Sequence, residues 1–226
     1  KEVIDGYQPD VVWQDSGVWN IDEKERLEFL AHYYNRALEW GKDVVATTKG
    51  GMTNDCSVQD YERGGPTDLL ENYYLTDDSI SPHTWCYTEN MKLYTSCELI
   101  HSLMDHISKN GNFLLNVCPM ADGTFPENQK ELLSKVGAWL RRNGEAVYGT
   151  RAWNVYGEGP TQMGSDHFSD MIAGTAEDIR FTRNKENTVL YATILGWPEN
   201  GQVKIKSLGS DKVSLDDLTQ AVLLAD

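Results

Sequence analysis

No stretch of this 226-residue sequence approaches the roughly 20 consecutive apolar residues that span a bilayer, so it contains no evident helical anchor. Basic residues are scarce. Lys and Arg number 20 against 35 Asp and Glu, a formal charge of −15. A surface that negative repels phosphate backbones and anionic lipid, which argues against nucleic-acid and membrane-surface partners. Paired cysteines are also missing: Cys56, Cys86, Cys97 and Cys118 form no C-x-x-C motif. Their spacing argues against a zinc site and predicts buried structural thiols, while leaving the redox compartment open. Internal repeats and low-complexity tracts are absent. The sequence begins at Lys1, without an initiator Met or a readable leader, and so reads as a piece of something longer.

What remains is an ordinary globular composition. Hydrophobic residues make up 40%, and 19 glycines add to them, enough to bury a substantial core in a length that suits one α/β barrel. Two textures meet near residue 150. Before it, short apolar runs at 10–15, 43–49, 57–62, 73–80 and 112–117 read as strands. Helical periodicity marks 21–40, 96–108 and 127–142. Strands alternating with helices, several closed by polar or Gly-rich residues, predict βαβ units and a parallel sheet. Beyond residue 150 the helical period vanishes. Runs at 179–182, 189–194 and 203–206 predict an antiparallel β module, read as a sandwich. The expected units are therefore 1–150 and 151–226.

In parallel α/β folds, functional side chains gather at the carboxyl ends of the strands. Here those ends carry Asp15, Lys49, Asp60 with Glu62, Asp77 with Asp78, and Asn116. Paired carboxylates are what glycoside hydrolysis requires: one attacks or activates water, and the other protonates the leaving oxygen. Trp13, Trp19, Tyr61, Trp85 and Tyr87 lie nearby in sequence, and sugar C–H faces stack on such rings. The plainer reading is that the aspartates cap helices and the tryptophans fill a core. His101 and His106, five apart on a helix, point to different faces and make a poor metal pair.

Three longer segments separate these readings. Pro9-Asp-Val-Val-Trp-Gln-Asp-Ser-Gly17 resembles the P-D-x-x-W-x-D segment of the α-L-fucosidases of glycoside hydrolase family 29. Residues 109–124 resemble that family's K-G-G-N-x-L-L-N-x-x-P-x-x-D-G-T, and 137–150 its G-x-W-L-x-x-N-G-E-A-I-Y-G-T. The resemblance implies the fold class: a partial (β/α) TIM-type barrel, about the last five strands, followed by a partial antiparallel β-sandwich. It also implies a retaining exo-glycosidase that releases terminal L-fucose from a fucosylated oligosaccharide or glycoconjugate.

By the same resemblance Asp15 is the nucleophile and Trp13 lines the fucose pocket. Trp85, with Tyr87 beside it, packs on the sugar's C5 methyl. Lys49 stands where many members carry a pocket Arg, and it offers a point charge rather than a fork. The acid/base falls on Asp60 or Glu62, which alternation puts on one face of a strand, with Glu62 preferred and Asp77 and Asp78 next. No metal and no organic cofactor is implied. The family is often secreted, periplasmic or lysosomal, which leaves localisation unknown. Its barrel has eight strands and the chain starts just before the fourth, so closure calls for a homo-oligomer, most simply a two-fold dimer, or a complementing N-terminal half. A non-catalytic carbohydrate-binding or assembly fragment is the alternative reading.

Overall fold

The computed structural model describes residues 1–209 and 219–224. Five strands, β1 (Val11–Gln14), β2 (Val45–Thr48), β3 (Val58–Glu62), β4 (Tyr74–Ser79) and β5 (Gly111–Asn116), form one sheet. They lie in sequence order, and every adjacent pair is parallel. This is a half-barrel. Helix α1 (Glu2–Tyr7) precedes β1, and α2 (Glu23–Trp40) joins β1 to β2. Helix α3 (Ser96–Ser108) joins β4 to β5, and α4 (Glu127–Asn143) follows β5.

Helix α3 occupies the span expected from its periodicity, and its start has a local cause. Thr95 Oγ1 accepts the Glu98 N–H at 3.2 Å, while the Glu98 carboxylate accepts the Thr95 N–H at 2.7 Å. This reciprocal capping box satisfies two of the donors a helix start leaves orphaned.

Alternation along each strand sorts the sheet into two faces. The outer face packs on helices. Val12 and Ala46 join Ile4, Leu30 and Tyr33 in one cluster, while Phe113 and Leu115 support another around Ile80, Leu99 and Leu132. Covering by helices accounts for Phe113 and Leu115 of β5, while Leu114 between them points to the other face. The inner face is different. Val11, Trp13, Val45 and Leu114 stand 55%, 42%, 40% and 47% exposed on it.

Past a 3₁₀ turn at Gly144–Ala146 comes an antiparallel sheet of β6 (Arg151–Glu158), β7 (Ile179–Arg183) and β8 (Leu190–Ile194). Strand β6 has no clean alternation, and its register shifts between Ala152 and Gly157, which hid it in the sequence. The strand expected at 203–206 does not form. Glu158 accepts the backbone N–H groups of Lys206 and Ser207 at 2.8 and 3.0 Å, fixing a 3₁₀ turn at Lys206–Leu208 instead. The cysteines also need correction: Cys118 is buried, Cys56 is half-buried, and Cys86 and Cys97 are exposed. Residues 210–218 and 225–226 of the expected 151–226 unit lie outside the described residues.

The two sheets meet over α3. Arg180 of β7 donates to Asp105 of α3 at 2.6 Å, and Lys109 donates to the other Asp105 oxygen at 2.7 Å. Met104, Met163 and Leu195 close the apolar part of this seam.

Candidate active site

The carboxyl ends of β1 to β4 converge on one ammonium group. Lys49, one residue past β2, is 8% exposed and donates to Asp77 Oδ1 at 2.5 Å. Asp60 Oδ2 and Glu62 Oε2 each lie 3.5 Å from the same nitrogen. The parallel register explains the gathering: Glu62 sits opposite Asp77 and Asp60 opposite Leu75, so β3 and β4 present their inner-face acids side by side. Trp13 completes the set from β1. Its indole N–H donates to Asp60 Oδ2 at 2.6 Å, and the Lys49 ammonium lies 5.5 Å from its ring.

Three carboxylates around one cation leave the cluster anionic. Burial pulls the Lys49 pKa down, but the Asp77 hydrogen bond and the charges of Asp60, Asp77 and Glu62 together carry it above the ordinary lysine value. Burial pushes Asp77 up to about 6 against its bond from Lys49, and Asp60 adds to the rise. Asp60 is fully buried, whereas the Glu62 side chain keeps 25% of its surface. Asp60 Oδ1 and Thr47 Oγ1 are buried without a hydrogen-bond partner among the described residues. Groups of three His, Cys, Asp or Glu with metal-binding geometry are also absent among the described residues.

Asp15 follows β1 by one residue, is exposed, and continues the Trp13 side of the strand by alternation. Trp85 lies in the loop after β4, with its carbonyl held by Asn116 Nδ2 at 2.9 Å. Tyr87, in the same loop, is 36% exposed. The cluster therefore joins Trp13, Lys49, Asp60 and Glu62 directly, with Asp15 at the same rim. Trp85 and Tyr87 stand on a separate loop.

Sequence reasoning missed how that loop is held. Arg63 takes a left-handed conformation, φ 50°, unusual for a residue with a side chain. Its N–H donates to Asp77 O at 2.9 Å, and its guanidinium donates to Asp78 (3.2 Å), Ser81 O (2.9 Å) and Thr84 O (3.2 Å). It also stacks on Trp85 at 4.2 Å. Burial drives Asp78 up to about 7, against the bond from the Ser79 N–H and the Arg63 charge. The loop between β6 and β7 reaches back to the same segment. His167 Nδ1 accepts the Glu62 N–H at 2.9 Å, and the Phe168 N–H donates to Glu62 O at 2.8 Å. A Cβ at Gly64 would stand 2.0 Å from Asp166 O, so only glycine lets the loop in. Pairing β3 with β4 in register would have exposed the role of Asp77; nothing in the sequence announced Arg63 or His167.

A sequence model of the Alpha-L-fucosidase family matches residues 1–145, and one of the Alpha-L-fucosidase C-terminal domain matches residues 173–224. The chain belongs to the alpha-L-fucosidase family. It is 31% identical to the tissue alpha-L-fucosidase of Rattus norvegicus over 216 residues, 91% of this chain and 42% of that protein. To the plasma alpha-L-fucosidase of Homo sapiens it is 29% identical over 210 residues, 89% of this chain and 42% of that one. The Thermotoga maritima alpha-fucosidase solved in complex with fucose superposes with a TM-score of 0.66 at 33% identity, covering 88% of this chain and 41% of the other. This alpha-L-fucosidase family member thus spans less than half the length of those relatives.

Proposed function

We propose that the chain supplies the catalytic rim of a retaining exo-α-L-fucosidase that removes terminal L-fucose from fucosylated glycans. Asp15 attacks the anomeric carbon. The bond from that carbon to the leaving oxygen breaks, and Glu62 delivers its proton to that oxygen. In the second step Glu62 takes a proton from water, the water oxygen bonds to the anomeric carbon, and the Asp15 carboxylate leaves. The observation that carries this reading is the convergence of Trp13, Lys49, Asp60 and Glu62 at the strand ends, with Asp15 one residue beyond β1. Access favours Glu62 over Asp60: a fully buried carboxyl cannot reach a leaving oxygen, and Glu62 keeps an open side. Lys49 then holds Asp60 and Asp77 as a fixed counter-charge, while Trp13, Trp85 and Tyr87 offer ring faces to the sugar. Residues 1–150 carry the chemistry, and the β module beyond them braces Glu62 through His167.

The test is turnover of an aryl fucoside by the whole chain. Asp15→Ala should lower it by orders of magnitude, and Glu62→Ala should spare good leaving groups and recover with azide. Azide rescue of Asp60→Ala, with none for Glu62→Ala, reverses the assignment. We further infer that the exposed inner face is covered in the working enzyme by a second copy or by further barrel strands. Val11, Val45 and Leu114 are apolar, and each leaves 40–55% of its surface exposed there. Light scattering of the active species checks this, and an active monomer of the chain alone would overturn it.

A further inference from the structure

One large side chain at the rim belongs neither to a core nor to the acidic cluster. Trp19 is 69% exposed, yet its position is closely determined. A methyl group at Gly17 would stand 1.6 Å from ring atom Cζ3, and one at Gly50 would stand 2.2 Å from Cζ2. Two glycines, one from the loop after β1 and one from the loop after β2, therefore underlie opposite edges of the same six-membered ring. Gly50 has φ 135° and Gly51 φ 86°, conformations that residues with side chains rarely adopt. The backbone is pinned as well: the Val18 N–H donates to Gly50 O at 3.0 Å. Burial does not explain this construction, because the indole stays mostly in solvent. Two loops make room for the ring and then leave it open.

Position narrows what the open ring could bind. Gly17 is two residues past Asp15, and Gly50 is one residue past Lys49, so the indole borders the cluster from outside. Trp13 already offers its ring inside, against Lys49 and Asp60. The ring thus lies on the two loops that carry Asp15 and Lys49, beside the carbon that Asp15 would attack. The anionic cluster disfavours an anionic leaving group, and an indole suits the apolar C–H face of a neutral sugar ring. A ring already fixed in place loses little freedom when a ligand stacks on it.

We propose that Trp19 is a leaving-group subsite, the stacking platform for the neutral sugar ring to which the terminal residue is attached. This rests on the retaining fucosidase reading, and it adds a specificity determinant outside the reacting atoms. The test compares the whole chain with Trp19→Ala and Trp19→Phe on two donors: a fucosyl-lactose trisaccharide, and fucosyl fluoride, whose leaving group has no ring. The ratio of kcat/KM for trisaccharide over fluoride should fall about tenfold in Trp19→Ala, mainly through KM, and recover largely in Trp19→Phe. An unchanged ratio overturns the subsite even where fluoride turnover supports the fucosidase reading. If neither donor is hydrolysed by the parent chain, that reading fails, and the subsite is still decided by calorimetry on Asp15→Asn. Adding Trp19→Ala should weaken trisaccharide binding about tenfold more than binding of free fucose, and equal weakening rejects the proposal.

Discussion

At the seam between α3 and β7, one carboxylate meets two cations. Asp105 accepts Lys109 at 2.7 Å and Arg180 at 2.6 Å, and all three residues are at most 2% exposed. Further N–H groups find backbone carbonyls: Lys109 donates to Met163 O (2.8 Å) and Pro66 O (3.1 Å), and Arg180 to Ile179 O (3.1 Å) and Thr161 O (3.2 Å). At the rim the stoichiometry is reversed, with three carboxylates around Lys49 and Asp60 Oδ1 without a protein partner among the described residues. Both clusters set a lysine against buried aspartates. The seam satisfies its groups and joins two sheets; the rim holds unsatisfied acceptors and surplus negative charge beside an open face. Buried charge builds structure where it is paired, and reactive chemistry where it is left over.

The largest effect that would sharpen this contrast is at the seam. Asp105→Asn leaves two buried cations without their counter-charge, at a cost of about 3–5 kcal/mol. Urea unfolding should show the loss, while fucoside turnover per folded molecule stays close to the parent. A cost under about 1 kcal/mol would mean that the apolar contacts alone hold the sheets together.

At the rim the order inverts. Lys49→Met should depress turnover roughly 100-fold, because the carboxylates lose the charge that orients them. With the ammonium gone, Asp77 should titrate still higher than about 6, moving the acid limb of the pH–rate profile upward. Lys49→Arg keeps the charge and should restore part of the rate. A parental pH profile in Lys49→Met would break the link between this cation and the site.

How much of this was legible in the sequence follows from how local each feature is. Helix α3 was readable from its periodicity because that period is local, and its capping box of Thr95 and Glu98 acts within three residues. The strand-end acids were readable because parallel α/β topology puts function at that end. The value of Asp77 depended on register with Glu62, and that of Arg63 on a left-handed backbone bonded to β4. His167 reaches Glu62 across 105 residues, a separation no local pattern encodes. The expected strand at 203–206 gives way at its end to a 3₁₀ turn, where the distant Glu158 carboxylate takes the N–H groups of Lys206 and Ser207.

Acidification should push the two regions in opposite directions. Burial holds His106, beside the seam, down to about 4, against the Asp105 charge. Between about pH 4 and 6.5 the unfolded chain binds a proton there that the folded chain does not. Its contribution is complete above pH 6.5 and is lost as pH falls through that window, on the order of 3 kcal/mol. Asp77 and Asp78, raised to about 6 and about 7, carry the opposite sign. The folded chain keeps their protons longer than the unfolded one, so they destabilise the fold as pH rises from about 4 to 7. Urea titrations at pH 4 to 8 on His106→Gln and on Asp77→Asn should depart from the parent with slopes of opposite sign. Slopes of the same sign would undo the assignment.

The smallest effect tests whether the seam and the rim are mechanically separate. Thr95 caps the helix that carries Asp105, and it also ends the loop that carries Trp85. Thr95→Ala removes the acceptor for the Glu98 N–H, worth about 1 kcal/mol of helix stability. Tyr94 next to it stays fixed by its N–H bond to Ile80 O at 2.9 Å and its hydroxyl bond to Asp170 at 3.3 Å, so the loop keeps its far anchor. Trp85 is held independently, by Arg63 stacking and by Asn116. The variant should therefore unfold at a slightly lower urea concentration with kcat and KM for an aryl fucoside within about twofold of the parent. A KM rise beyond that, at a temperature where the fold is intact, would show that the cap positions the Trp85 loop and that the two regions share one mechanical unit.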